Sequence, residues 1–174
     1  MNSNKFQKIR ICGGSGSGKT YLSELIQNKT KFKLIHLDNI FFDLSNTSKF
    51  DKKRSLKEVK KILTQQTPKS KWIIEGGRFS NLRHTYDDSD LLIFLKVHGL
   101  KRIKNTFKRF LIRLRSGKYE GMLNFLDLTE YNLRSMRKWD HKRPKLFQEL
   151  YSSKFYCFNS ADKAYNWFIK QHKK

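Results

Sequence analysis

Gly13-Gly14-Ser15-Gly16-Ser17-Gly18-Lys19-Thr20 is the stretch on which the reading of this chain turns. It satisfies the phosphate-loop pattern G-x-x-x-x-G-K-[ST] in full. Successive backbone N–H groups in such a loop turn inward around phosphate oxygens, and glycine lets them do so without a clashing Cβ. Lys19 would reach the β- and γ-phosphates of a nucleotide, and the Thr20 hydroxyl would ligate Mg²⁺. The pattern requires a strand before it and a helix after it. Ile9, Ile11 and Cys12 supply a β-branched, apolar run on one side; Leu22, Leu25 and Ile26 recur at helical spacing on the other.

The same alternation continues outward. Residues Phe6–Cys12 read as a first strand and Gly18–Asn28 as a first helix. Lys33–Leu37 reads as a second strand closing at Asp38, and residues 39–53 as an aperiodic connection. Ser55-Leu56-Lys57-Glu58 is a capping box that opens a helix with Leu56, Val59, Ile62 and Leu63 on one face, stopped by Thr67-Pro68. Lys71–Glu75, Leu91–Val97 and Phe155–Phe158 read as three further strands. A helical stretch follows the fourth, with Leu100, Ile103, Phe107, Phe110, Leu111 and Leu114 as its apolar face and Arg102, Arg109, Arg113 and Arg115 opposite. Gly117–Gly121 interrupts it, Met122–Trp139 resumes it, and Pro144 is expected to mark its end. A last helix, Ala161–Ile169, is capped by Ser160. Strands alternating with helices, several of them wholly apolar, predict an α/β fold with a mostly parallel sheet, covered on both faces.

The chain has 174 residues, enough for one domain, with no linker or repeat dividing it. Residues 99–145 are expected to form a helical, lid-type insertion within that domain. The longest apolar run, Leu91–Leu95, is too short to cross a bilayer, and the polar start lacks a signal-peptide core. Cys12 and Cys157 are expected as buried free thiols of a cytoplasmic protein. The five histidines have no metal-site spacing and receive no role. The charge is more telling. There are 38 Lys+Arg against 15 Asp+Glu, for a net +23, and residues 96–145 alone carry +11. Anionic partners follow from this: nucleotides, and nucleic acid as an open alternative.

Three further positions carry candidate chemistry. Asp38, at the carboxyl end of the second strand, would orient an acceptor hydroxyl, take its proton, or hold Mg²⁺ through water. Glu75 ends the third strand in Trp72-Ile73-Ile74-Glu75, where a metal-facing carboxylate belongs, although Glu is one methylene longer than the usual Asp. Gly76 and Gly77 permit close approach of a ligand, and Arg78 would clamp a phosphate or carboxylate bidentately. Arg109, Arg113 and Arg115 would neutralise transition-state charge from the lid.

The loop, His36-Leu37-Asp38, Trp72–Gly76, the apolar strand 91–95 and Lys142-Arg143-Pro144 occur in an order that resembles the adenylate-kinase-related small P-loop kinases. The resemblance is closest to their DNA topology modulation protein branch. It implies a five-stranded parallel sheet in the order 2-3-1-4-5, ATP and Mg²⁺ at the loop, an acceptor site near Asp38 and Arg78, and a lid between the fourth and fifth strands. Residues 159–162 read Asn-Ser-Ala-Asp, lacking the lysine of the guanine motif. Two functions are therefore expected to compete. The first is phosphoryl transfer from ATP to a small acceptor, a nucleotide or nucleoside. The second is a nucleic-acid-binding P-loop ATPase, or a kinase acting on nucleic-acid ends.

Overall fold

A computed structural model describes residues 5–42, 54–76, 82–115 and 121–172. Five strands, β1 (Lys8–Gly13), β2 (Lys33–His36), β3 (Trp72–Glu75), β4 (Leu91–Leu95) and β5 (Phe155–Phe158), form one parallel sheet in the order β2-β3-β1-β4-β5. Among the described residues, seven helices join and cover them: α1 (Lys19–Thr30), α2 (Leu37–Phe41), α3 (Leu56–Gln66), α4 (Arg83–Asp87), α5 (Gly99–Arg115), α6 (Gly121–Tyr151) and α7 (Ala161–His172). The strand order implied by the family resemblance is the observed one.

Two faces of the sheet build two layers of core. Ile9, Ile11, Ile73, Leu91, Ile93 and Leu95 pack beneath Leu22 and Ile26 of α1 and Ala164 and Phe168 of α7. On the other face, Ile35, Trp72 and Ile74 meet Val59 and Leu63 of α3, while Leu92 and Phe94 meet Tyr86 and Phe147. The period-2 alternation of strand side chains assigns Glu75, two residues beyond Ile73, to the α1 side. The capping box forms as read: Ser55 N–H donates to Glu58 at 2.8 Å and Glu58 N–H donates to Ser55 Oγ at 3.3 Å. Ser160 Oγ accepts from Lys163 N–H at 3.2 Å at the start of α7.

Several local expectations are corrected. The second strand ends at His36, and Asp38 lies in α2, because Leu37, Ile40 and Phe41 bury together on one helical side. Strand β4 ends at Leu95 rather than Val97. Pro144 lies inside α6 rather than ending it. The helix loses one backbone donor there, yet continues because Phe147 and Tyr151 anchor its last turns in the core. Cys157 is exposed on the edge strand, whereas Cys12 is buried and its thiol is pushed up to about 12 by desolvation. Helix α5 is rotated relative to its apolar periodicity. Arg102 and Thr106 are buried, while Leu100, Phe107 and Leu111 are exposed.

Arg10 is a buried cation within the central strand. Its Nε donates to Thr85 Oγ1, Nη1 to the Ile11 and Ile74 carbonyls, and Nη2 to the Gly76 carbonyl and Tyr86 hydroxyl. These contacts occupy all five guanidinium donors. The Tyr86 ring also lies 4.5 Å from the guanidinium carbon. Arg10 thus ties together the carboxyl ends of β1 and β3, where the candidate site lies.

Candidate phosphate-transfer site

The loop between β1 and α1 is shaped by local backbone rules and held from outside by α5. Gly16 has φ +71°, and a Cβ there would stand 2.5 Å from the Arg102 carbonyl oxygen. A Cβ on Gly14 would overlap the Arg102 guanidinium itself. Asn105 Nδ2 donates to the Gly16 carbonyl at 2.9 Å, and Arg102 Nη2 donates to the Asn132 carbonyl of α6 at 3.3 Å. The polar face of α5 is therefore the one packed on the loop, which explains its rotation. Lys19 Nζ donates to the Gly14 carbonyl at 3.0 Å. Desolvation lowers the Lys19 pKa, opposed by the charges of Glu75 and Asp38.

The facing wall comes from the ends of β2 and β3. Glu75 is 4% exposed. Its Oε1 accepts from Thr20 Oγ1 at a long 3.4 Å and lies 2.9 Å from His36 Nδ1. The register explains the second contact, since His36 and Glu75 are direct cross-strand partners. Asp38 follows in α2. Its Oδ1 would lie 3.4 Å from a Cβ on Gly76, so carboxylate and glycine are neighbours, and Gly76 has φ +85°. Asp38 is exposed. Desolvation raises its pKa, Lys19 opposes that rise, and Glu75 adds to it.

A cavity of about 540 Å³ opens above the loop. Gly16–Tyr21 form its floor, Lys101, Asn105, Lys108 and Arg109 of α5 one side, and Ser160–Asp162 the far end. The positive charge of Arg109 is felt at both Lys19 and Asp38, lowering both pKa values. Arg115 is exposed at the end of α5, thirteen residues or about 20 Å along the axis from Arg102. It is not brought to the loop. The Arg113 side chain, Gly77 and Arg78 lie outside the described residues.

The structure thus lines one cavity with Gly16–Thr20 and Arg109, brings Glu75 to Thr20, and sets Asp38 beside Gly76. Sequence reasoning passes over His36, Asn105, Lys101 and Lys108, and reads Arg102 as part of an exposed stripe. His36 shares strand-face parity with Leu34, but only the register between strands reveals its carboxylate partner. Thr20 and Glu75 offer hard oxygen donors of the kind Mg²⁺ prefers, so they fit the cation. Among the described residues there is no group of three or more His, Cys, Asp and Glu side chains that would hold a metal.

No protein-family model matches the chain, and no curated protein does. Solved structures do. A gluconokinase from Sinorhizobium meliloti superposes with a TM-score of 0.56 at 13% identity, covering 95% of this chain and 91% of the other. A shikimate kinase from Bacteroides thetaiotaomicron gives 0.52 at 17%, covering 96% and 94%. A deoxyadenosine kinase from M. mycoides with bound dATP gives 0.50 at 14%, covering 95% and 99%. The chain shares its fold with these kinases. Among the described residues, no helix is long and apolar enough to cross a membrane.

Proposed function

We propose that this protein transfers the γ-phosphoryl group of ATP to a small hydroxyl-bearing acceptor, a nucleoside or nucleotide, in the cytoplasm. The observation that carries the reading is the juxtaposition of two walls. On one stand Lys19 and the loop amides; on the other stands the carboxylate of Asp38, whose pKa is raised by desolvation against the opposing charge of Lys19. Structural similarity to kinases whose named substrates are small molecules supports the same reaction class.

In this reading the loop amides of Gly13–Lys19 hold the donor phosphates. The acceptor hydroxyl oxygen attacks the γ-phosphorus, and the bond from that phosphorus to the β,γ-bridging oxygen breaks. The hydroxyl proton passes to Asp38, whose raised pKa makes it a stronger base than an ordinary carboxylate. Lys19 and Arg109 neutralise charge on the transferring group. Mg²⁺, held from Thr20 and Glu75, would supply charge neutralisation on the phosphate chain. Gly76 would let the acceptor approach the backbone, with Arg78 gripping its anionic part. Residues 99–145 would be the lid, Arg109 and Arg113 its catalytic arginines and Arg115 a substrate contact on closure.

The test is incubation with γ-labelled ATP and Mg²⁺ against nucleosides, nucleotides, sugar acids and oligonucleotides. Label moving to one small-molecule class is the expected result; release of inorganic phosphate alone would overturn the kinase reading. A second reading, nucleic-acid binding, is favoured by one observation. Lys104, Lys108 and Arg115 lie exposed on α5 beside Phe107, and the helix contains no acidic residue. Oligonucleotide binding that survives moderate salt would favour it.

A further inference from the structure

The contact between His36 and Glu75 has a consequence for the cation. Glu75 stands where an aspartate would reach with one rotatable bond fewer. A longer carboxylate pays more side-chain entropy to hold one orientation, and here it must hold it at the edge of a phosphate cleft. Two features of the site remove that freedom. The backbone of β3 is hydrogen-bonded on both sides, to β2 and to β1, so the Glu75 Cα is fixed by register. The His36 ring then meets the carboxylate at 2.9 Å, while its own Cα is fixed directly across the β2–β3 ladder.

The atoms used are informative. Among the described residues, both contacts of the Glu75 carboxylate fall on Oε1, from His36 Nδ1 and Thr20 Oγ1, and none falls on Oε2. The His36 side chain is 30% exposed and that of Glu75 is 5% exposed. A contact between two exposed side chains would be free to rearrange, but this one has its carboxylate member buried and its imidazole at the rim. His36 is therefore placed to orient Glu75 without occupying the oxygen that points elsewhere.

We propose that His36 is a positioning residue for the divalent cation: it holds the Glu75 carboxylate so that a glutamate does the work of the shorter aspartate. This rests on the ATP-and-Mg²⁺ reading above and extends it to a residue that touches neither nucleotide nor metal. Hydrogen-bond partners of metal-directed groups characteristically change metal affinity by about 10–100-fold when removed.

The experiment measures binding, not turnover. A fluorescent ATP analogue is titrated into the full-length wild type, His36→Ala, His36→Asn, Glu75→Ala and the double variant His36→Ala/Glu75→Ala, each with EDTA and with Mg²⁺. The quantity read is the ratio of the two affinities, the metal enhancement. Expected results are an enhancement reduced about tenfold in His36→Ala, unchanged affinity in EDTA, and substantial recovery in His36→Asn, which keeps a donor. In the Glu75→Ala background the His36 substitution should change nothing further. An enhancement in His36→Ala within twofold of wild type overturns the proposal, as does an equal loss in both backgrounds. A parallel loss in EDTA also overturns it, because His36 would then be supporting the fold or the loop. Absence of nucleotide binding by the wild type in either condition would instead overturn the parent reading, which separates the two failures.

Discussion

The two walls of the cleft are built in opposite ways. The loop wall is eight consecutive residues whose conformation follows from their own composition, between a strand and the helix that they open. The facing wall is assembled from residues that share no local pattern: His36 and Asp38 on either side of the β2–α2 junction, Glu75 at the end of β3, and Gly76 beyond it. The first carries the glycines and the lysine and is clamped by α5. The second carries the carboxylates and is fixed by strand register and by Arg10 beneath Gly76. A phosphate-binding element can be written as a motif because neighbouring amides do the binding. An acceptor site cannot, because its groups must surround a molecule from several directions.

The comparison breaks most sharply at Lys19. Lys19→Met should lower phosphoryl transfer by about 10³-fold or more, the scale of a removed transition-state charge contact. The same variant should melt no lower than wild type in calorimetry. Burial holds the native Lys19 pKa below its ordinary value, so its stabilising contribution is present above the ordinary lysine range and is lost as pH falls through the native value. Toward acid pH the charge on Lys19 therefore costs the fold stability, and melting of the variant well below wild type there would contradict this.

Asp38→Asn tests the facing wall. A loss of about 10²–10⁴-fold in turnover is expected for a proton acceptor. In the wild type the acid limb of the rate profile should lie above the ordinary aspartate range, because the native pKa is raised. That limb should disappear from the residual activity of Asp38→Asn. The sign for stability mirrors that of Lys19: the contribution of Asp38 is present below its ordinary value and is lost as pH rises through the raised native one. An unchanged acid limb in the variant would remove Asp38 from the chemistry.

Gly16→Ala probes how the loop wall depends on α5. The added Cβ meets the Arg102 carbonyl at 2.5 Å in a backbone conformation that disfavours side chains. Nucleotide affinity should fall about tenfold or more in a binding titration, while Asp38→Asn leaves that affinity within about threefold. Equal effects of the two substitutions on nucleotide affinity would erase the distinction between the walls. The smallest effect is expected from a site remote from both. Ser55→Ala removes the capping box of α3 and should lower stability by about 1 kcal/mol in denaturant unfolding, with transfer kinetics unchanged.

Several elements are legible in the sequence because their cause is local. The phosphate loop, the capping box at Ser55 and the apolar strand Leu91–Leu95 are each specified by neighbouring residues. Helix α5 departs from its pattern for a physical reason: periodicity assumes that the apolar face turns inward, whereas this helix leans on a loop of carbonyls and glycines. Such a surface is met better by Asn105 and Arg102 than by Phe107. Arg10 is hidden for the complementary reason. Nothing along β1 indicates that one cation in an apolar strand will find five acceptors, since four of them come from α4, β3 and Gly76 rather than from its own strand.

By itself, then, the amino-acid sequence determined the alternation of strands and helices, the glycine-rich loop between the first strand and the first helix, and the strongly basic character of the chain. Each of these depends on composition or on spacing over a few residues. The tertiary structure alone decided which side of α5 meets the loop, that His36 stands beside Glu75, and that Asp38 lies in a short helix next to Gly76. Those outcomes depend on register between strands and on rotation of a helix about its axis, which are settled by packing between segments tens of residues apart.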